Sequence, residues 1–129
     1  MSSLRNAFDA LRALAVSAQT VYDRVLVGAM PESDSLVMMV SAGGEQNTAL
    51  DLSGDLNLDI VVNAKHRSQT AAWDALNDIH YNLTRMKELP QTDEWQLLSI
   101  SISSSPTFIE FDGDQYLYGS GLEVHVYIK

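Results

Sequence analysis

Apolar residues recur along this chain with two periods, one of about 3.6 residues and one of two. From Ser3 to about Val27 the residues Leu4, Phe8, Leu11, Ala15, Ala18, Tyr22 and Val25 fall on one stripe, the spacing of an amphipathic helix packed on a sheet. Ser3 is the expected N-cap, and Gly28 and Pro31 the expected stop. Glu32 to Ser35 reads as a polar loop. Leu36 to Val40 is apolar at every position, as in a central strand or one covered by a neighbouring subunit. Gly43-Gly44 breaks it, and Thr48 to Leu52 is a candidate second strand. Leu56, Leu58, Ile60 and Val62 then alternate with Asn57, Asp59, Val61 and Asn63, the period of a half-buried strand.

A second helix starts at Ser68 or Thr70 and carries Ala72, Leu76, Ile79, Leu83 and Met86 on one face, with Leu89-Pro90 as its stop. A hairpin closes the chain. Leu98, Ile100 and Ile102 alternate with Ser99, Ser101 and Ser103; Pro106 interrupts; Phe108, Ile109 and Phe111 resume. Asp112-Gly113-Asp114 is the turn. Leu122, Val124, Val126 and Ile128 return on one face, with Glu123, His125, Tyr127 and Lys129 on the other. The final residues therefore belong to a strand, not a tail, and Gly119-Ser120-Gly121 suggests a bulge. The order α-β-(β)-β-α-β-β implies one α+β domain over 1–129, with both helices on one face of a mostly antiparallel sheet.

Composition narrows the function. There is no cysteine, so disulfides, thiol nucleophiles and cysteine-based zinc sites are excluded. Eight basic residues stand against seventeen acidic ones, for a net charge of −9. That lacks the cations that bind duplex DNA without specificity. It fits a soluble protein, or a surface over which DNA slides without sticking. No stretch is long and apolar enough to span a bilayer. Nor does the N-terminus look like a secretory leader, and a cytoplasmic protein is expected.

Catalytic chemistry finds little support. His66, His80 and His125 have no metal-ligand spacing. The serines at 99, 101, 103, 104 and 105 have no nucleophile elbow around them. Ser41 to Glu45 lacks the GK[ST] of a phosphate loop, and Asp112-Gly113-Asp114 lacks the oxygen ladder of a calcium loop. Asp51, Asp55 and Asp59 are the only other acid group of interest, best read as a solvated strand. A small hydrolase built on Asp55, Asp59 or His66 is the weakest of three readings. A non-catalytic cytoplasmic adaptor domain is the second.

The first reading rests on a resemblance. The N-terminal helix, the Leu56–Val62 strand, the Trp73–Met86 helix ending in Leu89-Pro90, and the Asp112-Gly113 hairpin leading to Leu122-Glu123-Val124 together resemble the tail terminator proteins of long-tailed bacteriophages, also called minor capsid proteins. Ala75-Leu76-Asn77-Asp78-Ile79 is similar to that family's central helix. The resemblance implies a virion protein, assembled in the host cytoplasm, that forms a ring of six at the head-proximal end of the tail tube. Such a ring stops tube growth, contacts the tube protein and docks to the head-completion connector. DNA passes through its lumen. No catalytic residue, cofactor or metal is implied. Pattern alone nominates Val37, Met39, Glu123, His125 and Tyr127 as interface positions.

Overall fold

The computed structural model describes residues 2–40 and 54–129. The expected Thr48–Leu52 strand, the Gly43-Gly44 break, the Ser41–Glu45 segment and Asp51 lie outside the described residues. Within them the chain forms α1 (Ser2–Ser17), β1 (Leu26–Val27), β2 (Ser35–Val40), β3 (Gly54–His66), α2 (Gln69–Thr84), β4 (Trp95–Asp112) and β5 (Gln115–Ile128). The strands make one sheet in the order β1-β2-β3-β5-β4. Every pairing is antiparallel except β1 with β2. The α+β architecture read from the sequence is the one observed.

Strand β3 sets the frame. Leu56, Leu58, Ile60, Val62 and Ala64 all point to the helices and are at most 5% exposed. Residues Leu122 to Ile128 of β5 pair with the first part of β3, and their even-numbered side chains join the same layer. Helix α2 covers β3, β4 and β5 with Ala72, Leu76, Ile79 and Leu83, and α1 adds Ala7, Leu11 and Ala15. Ser68 caps α2, its Oγ accepting from the Ala71 N–H at 3.3 Å. One-sided coverage is why the period of two is so clear in β3 and β5.

Three element boundaries differ from expectation, each for a physical reason. Helix α1 ends at Ser17, well before Val25, the last residue of the apolar stripe. Buried Gln19 ends it: its Oε1 accepts from the N–H groups of Val21 and Tyr22, and its Nε2 donates to the carbonyls of Val16 and Tyr22. These bonds take groups a further helical turn would use. The stripe continues because Tyr22 and Val25 still run along the same core. Ser3 is inside the helix, bonded to Glu94 at 3.3 Å, and is not its cap; Gly28, at φ 99°, follows β1 instead of ending a helix. Helix α2 stops at Thr84, before Leu89-Pro90, with Arg85 as C-cap.

The third difference lies in β4. Leu98 and Ile102 are 40% and 49% exposed, and only Ile100 of the expected trio is buried: Leu98 falls in a bulge, whereas Ile102, opposite Leu122, keeps the phase of Ile100 and is exposed by its place on an edge strand. Strand β4 has 18 residues against the 14 of β5. Four register shifts absorb the difference, between Leu97/Ser99, Ile102/Ser104, Ser104/Thr107 and Phe108/Glu110. Each adds one residue and rotates the following side chains to the other face. The bulges thus lie on β4, the two central ones opposite Gly121 and Gly119, while β5 itself stays regular against β3. The two glycines leave room for that: a Cβ would come within 2.6 Å of Ile109 Cδ1 at Gly119 and of Ser103 Oγ at Gly121. Pro106 is tolerated because β4 is an edge strand. The Gly113-Asp114 turn has positive φ at the glycine only, the pattern of a type II′ hairpin.

Substituting Gln19→Leu strands two backbone N–H groups and two carbonyls around a nearly isosteric side chain. The expected cost is at least about 2 kcal/mol. The surface caps should matter less, with Ser68→Ala costing about 1 kcal/mol. Urea unfolding of both variants checks the ranking; equal midpoints would remove Gln19 from its place at the end of α1.

Candidate functional site

Polar side chains gather first at the sheet end where β3 runs into α2. Asp34 Oδ1 accepts from the Arg67 backbone N–H at 3.1 Å and from Gln115 Nε2, and Oδ2 lies 3.6 Å from Arg67 Nε and 3.7 Å from His66 Nε2. Partial burial favours the neutral acid at Asp34, but the Gln115 hydrogen bond and the attraction of His66 and Arg67 outweigh it and hold its carboxyl below its ordinary range. His66 Nδ1 accepts from the Ser68 N–H at 2.9 Å, so the proton of the neutral ring sits on Nε2, toward Asp34. Tyr22 packs edge-on to His66 and donates to the Lys65 carbonyl at 2.8 Å. Burial, then the Asp34 charge, raises its phenol well above the ordinary value.

This cluster is a clasp between elements. Both His66 nitrogens and both Asp34 oxygens have partners that tie β2, β3, α2 and β5 together. Asp55 and Asp59 lie eleven and seven residues up β3 from His66, about 36 and 23 Å away at ~3.3 Å per residue. The three residues of the hydrolase reading therefore do not meet. Among the described residues no group of three His, Asp or Glu side chains is placed to hold a metal ion.

The second feature is the sheet face turned away from the helices. Asp55, Asn57, Asp59, Val61 and Asn63 of β3 lie there beside Tyr127, His125, Glu123, Gly121 and Gly119 of β5. Asp59 stands directly opposite Glu123, a like-charge pair; His125 Nε2 is 3.6 Å from Asp55 Oδ1. The structure thus brings three of the nominated positions, Glu123, His125 and Tyr127, together on one exposed strand face. Met39 is on the same face, half-buried and two strands away in the row of Val61 and Gly121. Val37 is also on this face, opposite Asn63, but is 2% exposed and offers no surface. At that end Lys65 Nζ donates to the Pro31 carbonyl and Ser35 Oγ to Met30 Sδ, so the chain after β1 crosses the sheet there.

The third feature was not anticipated: the outer edge of β4 beyond Leu97, its Trp95–Leu97 end being bonded to Pro90–Thr92. Leu98, Ile102, Phe108, Ile109 and Phe111 are each 40–53% exposed along it, and Trp73 on the adjoining flank of α2 is 47% exposed. Trp73, Pro106, Phe108 and Tyr118 line an aromatic notch with Gln69, which donates to the Tyr118 hydroxyl at 2.9 Å. Helix α2 and strands β4 and β5 contain no Lys or Arg. A signal was present in the sequence: Trp95 to Ile109 is 15 residues without a charge, the longest such stretch among all 129. Edge strands of soluble proteins are normally blunted with charge, lysine above all.

His80 is the one buried ionisable side chain with neither ring nitrogen hydrogen-bonded among the described residues. It sits on α2 beside Leu76, Ile79 and Leu83, and burial lowers its pKa from the ordinary 6.5. Below that value the unfolded chain takes up a proton that the folded chain refuses, so stability falls with pH. The Asp34 contribution has the same sign but enters lower: it is present above its ordinary 3.8 and disappears as pH falls through the depressed value. Melting temperature measured from about pH 8 down to pH 4.5 should decline below about pH 6.5. His80→Leu should flatten that decline, and Asp34→Asn should leave it. An unchanged slope in the leucine variant would contradict the burial of the neutral ring.

No protein-family model matches the chain, and no curated protein matches it. Among solved structures it is similar to a chain of the virion of a native gene transfer agent particle, at TM-score 0.56 and 12% identity, over 94% of this chain and 91% of that one. At that identity the two share a fold, present over nearly the whole of both chains.

Proposed function

We propose that this protein is a structural component of a phage-like particle, assembling as a ring at the head-proximal end of a tail tube. The observation that carries the reading is the fold shared, end to end, with a chain of a gene transfer agent virion. The tail-terminator resemblance of the sequence supplies the finer assignment: a ring of six that stops tube growth, contacts the tube protein and presents a docking face to the head-completion connector.

Two physical features support it. The surface is built for contact, with an apolar, cation-free sheet edge and polar side chains engaged in structural bonds. The open face is acidic at its centre, where Asp59 and Glu123 oppose each other across β3 and β5. Like charges directly opposite each other destabilise a sheet. Turned toward the lumen, this pair repels passing phosphates and keeps DNA from adhering.

Electron microscopy and native mass measurement of the purified chain, over a wide concentration range, test the ring. Six-fold particles at six times the 14.2 kDa subunit mass are expected. A monomer at every concentration, with or without tube protein as template, favours an adaptor domain instead. The acidic pair has its own signature. Asp59→Asn should raise stability by about 0.2–1 kcal/mol and increase retention of duplex DNA by the assembled ring. Glu123→Lys should increase that retention further, with the monomer's circular dichroism unchanged.

A further inference from the structure

A chain of net charge −9 repels its own copies. Self-association is favoured only where both surfaces lack acid. Among the described residues two uncharged surfaces with exposed apolar side chains lie along the two edges of the sheet. One is β4, uncharged from Trp95 to Ile109 with Ile102 exposed near its middle. The other is β1 and the outer side of β2. There Val27 is 54% and Val40 42% exposed, and residues 25–31 and 35–40 carry no charge. Asp23 and Arg24 beside β1 offset each other.

Edge geometry decides how these surfaces combine. Bulges cut β4 into short regular runs, of which Ser99 to Ile102 is the longest. A β4 edge meeting a second β4 edge would oppose two bulged ladders whose irregularities compound. Strand β1 has only two residues, so it needs only a short regular run opposite. The lengths match head to tail.

We infer that the β4 edge of one copy, centred on Ile102, docks against the β1 edge of the next, centred on Val27. This rests on the ring reading and deepens it. The contact is heterologous: each copy uses one edge on each side, so the sheets continue from subunit to subunit, and a suitable rotation closes the series. It leaves the face of Asp59 and Glu123 unpaired and available to the lumen.

The absence of cysteine makes a direct test clean. Ile102→Cys and Val27→Cys are prepared as separate variants, mixed in equal amounts and oxidised. Both positions are exposed, so folding should be retained. Val27→Cys mixed with Asp78→Cys, on the outer face of α2, is the control. The Ile102–Val27 cross-linked dimer should exceed the control by at least about tenfold, since a disulfide requires Cβ atoms within about 4.5 Å. A predominance of Ile102–Ile102 dimers overturns the head-to-tail arrangement in favour of a two-fold one. Cross-linking no higher than the control overturns the edge contact altogether. The ring reading is judged separately on the cysteine-free protein. Six-fold rings without the Ile102–Val27 link leave that reading standing and remove this one; the link without rings does the reverse.

Discussion

Everything in this fold depends on one apolar layer between α2 and the inner strands. Leu76 and Ile79 are fully buried above a sheet surface made by Ile60, Val62, Leu122 and Val124, none more than 1% exposed. Truncating any of the larger members to alanine belongs to the class of change that costs about 2–5 kcal/mol, against a total stability of only about 5–15 kcal/mol for such a domain. Because helices cover one face only, the strands must alternate strictly, and every odd position of β3 is delivered to the other face. The acidic row there follows from the core patterning on the opposite face.

The same layer explains where order gives way to irregularity. Strand β5 is flanked on both sides and stays regular. Strand β4 has a partner on one side only, so four additional residues are accommodated without breaking the core. The bulges twist an edge that carries no lysine and so limit indiscriminate strand addition, while its exposed side chains remain available to a specific partner. Protection and contact therefore come from the same stretch of chain.

Charge completes this division of labour. Acids are placed on the open face, in the hairpin turn and on the outward side of α2, while β4 is uncharged from Trp95 to Ile109. Contact between copies through that stretch is the encounter that their net negative charge opposes least. The clasp around Asp34 adds rigidity at the far end of the sheet, joining β2, the β3–α2 junction and the start of β5 through one carboxylate.

The sequence by itself determined the elements whose burial is one-sided and uninterrupted. β3, β5, α2 and its Ser68 cap, and the Gly113 turn were legible because period and turn chemistry are local properties. So was the grouping of Glu123, His125 and Tyr127, since alternation fixes which side chains share a face. Only the tertiary structure decided the rest. The end of α1 depends on Gln19 finding four backbone partners, while the apolar stripe runs on past it. Val37 looked like a surface residue in a two-faced strand, but its burial depends on which segment of chain crosses that end of the sheet. Leu98 and Ile102 kept the spacing of core residues, but Leu98 falls in a bulge, and Ile102, though in phase with Ile100, lies on an edge strand, which is a matter of neighbours. The separation of Asp55 and Asp59 from His66 was settled only when the strand proved to run straight on through Ala64 and Lys65 to His66.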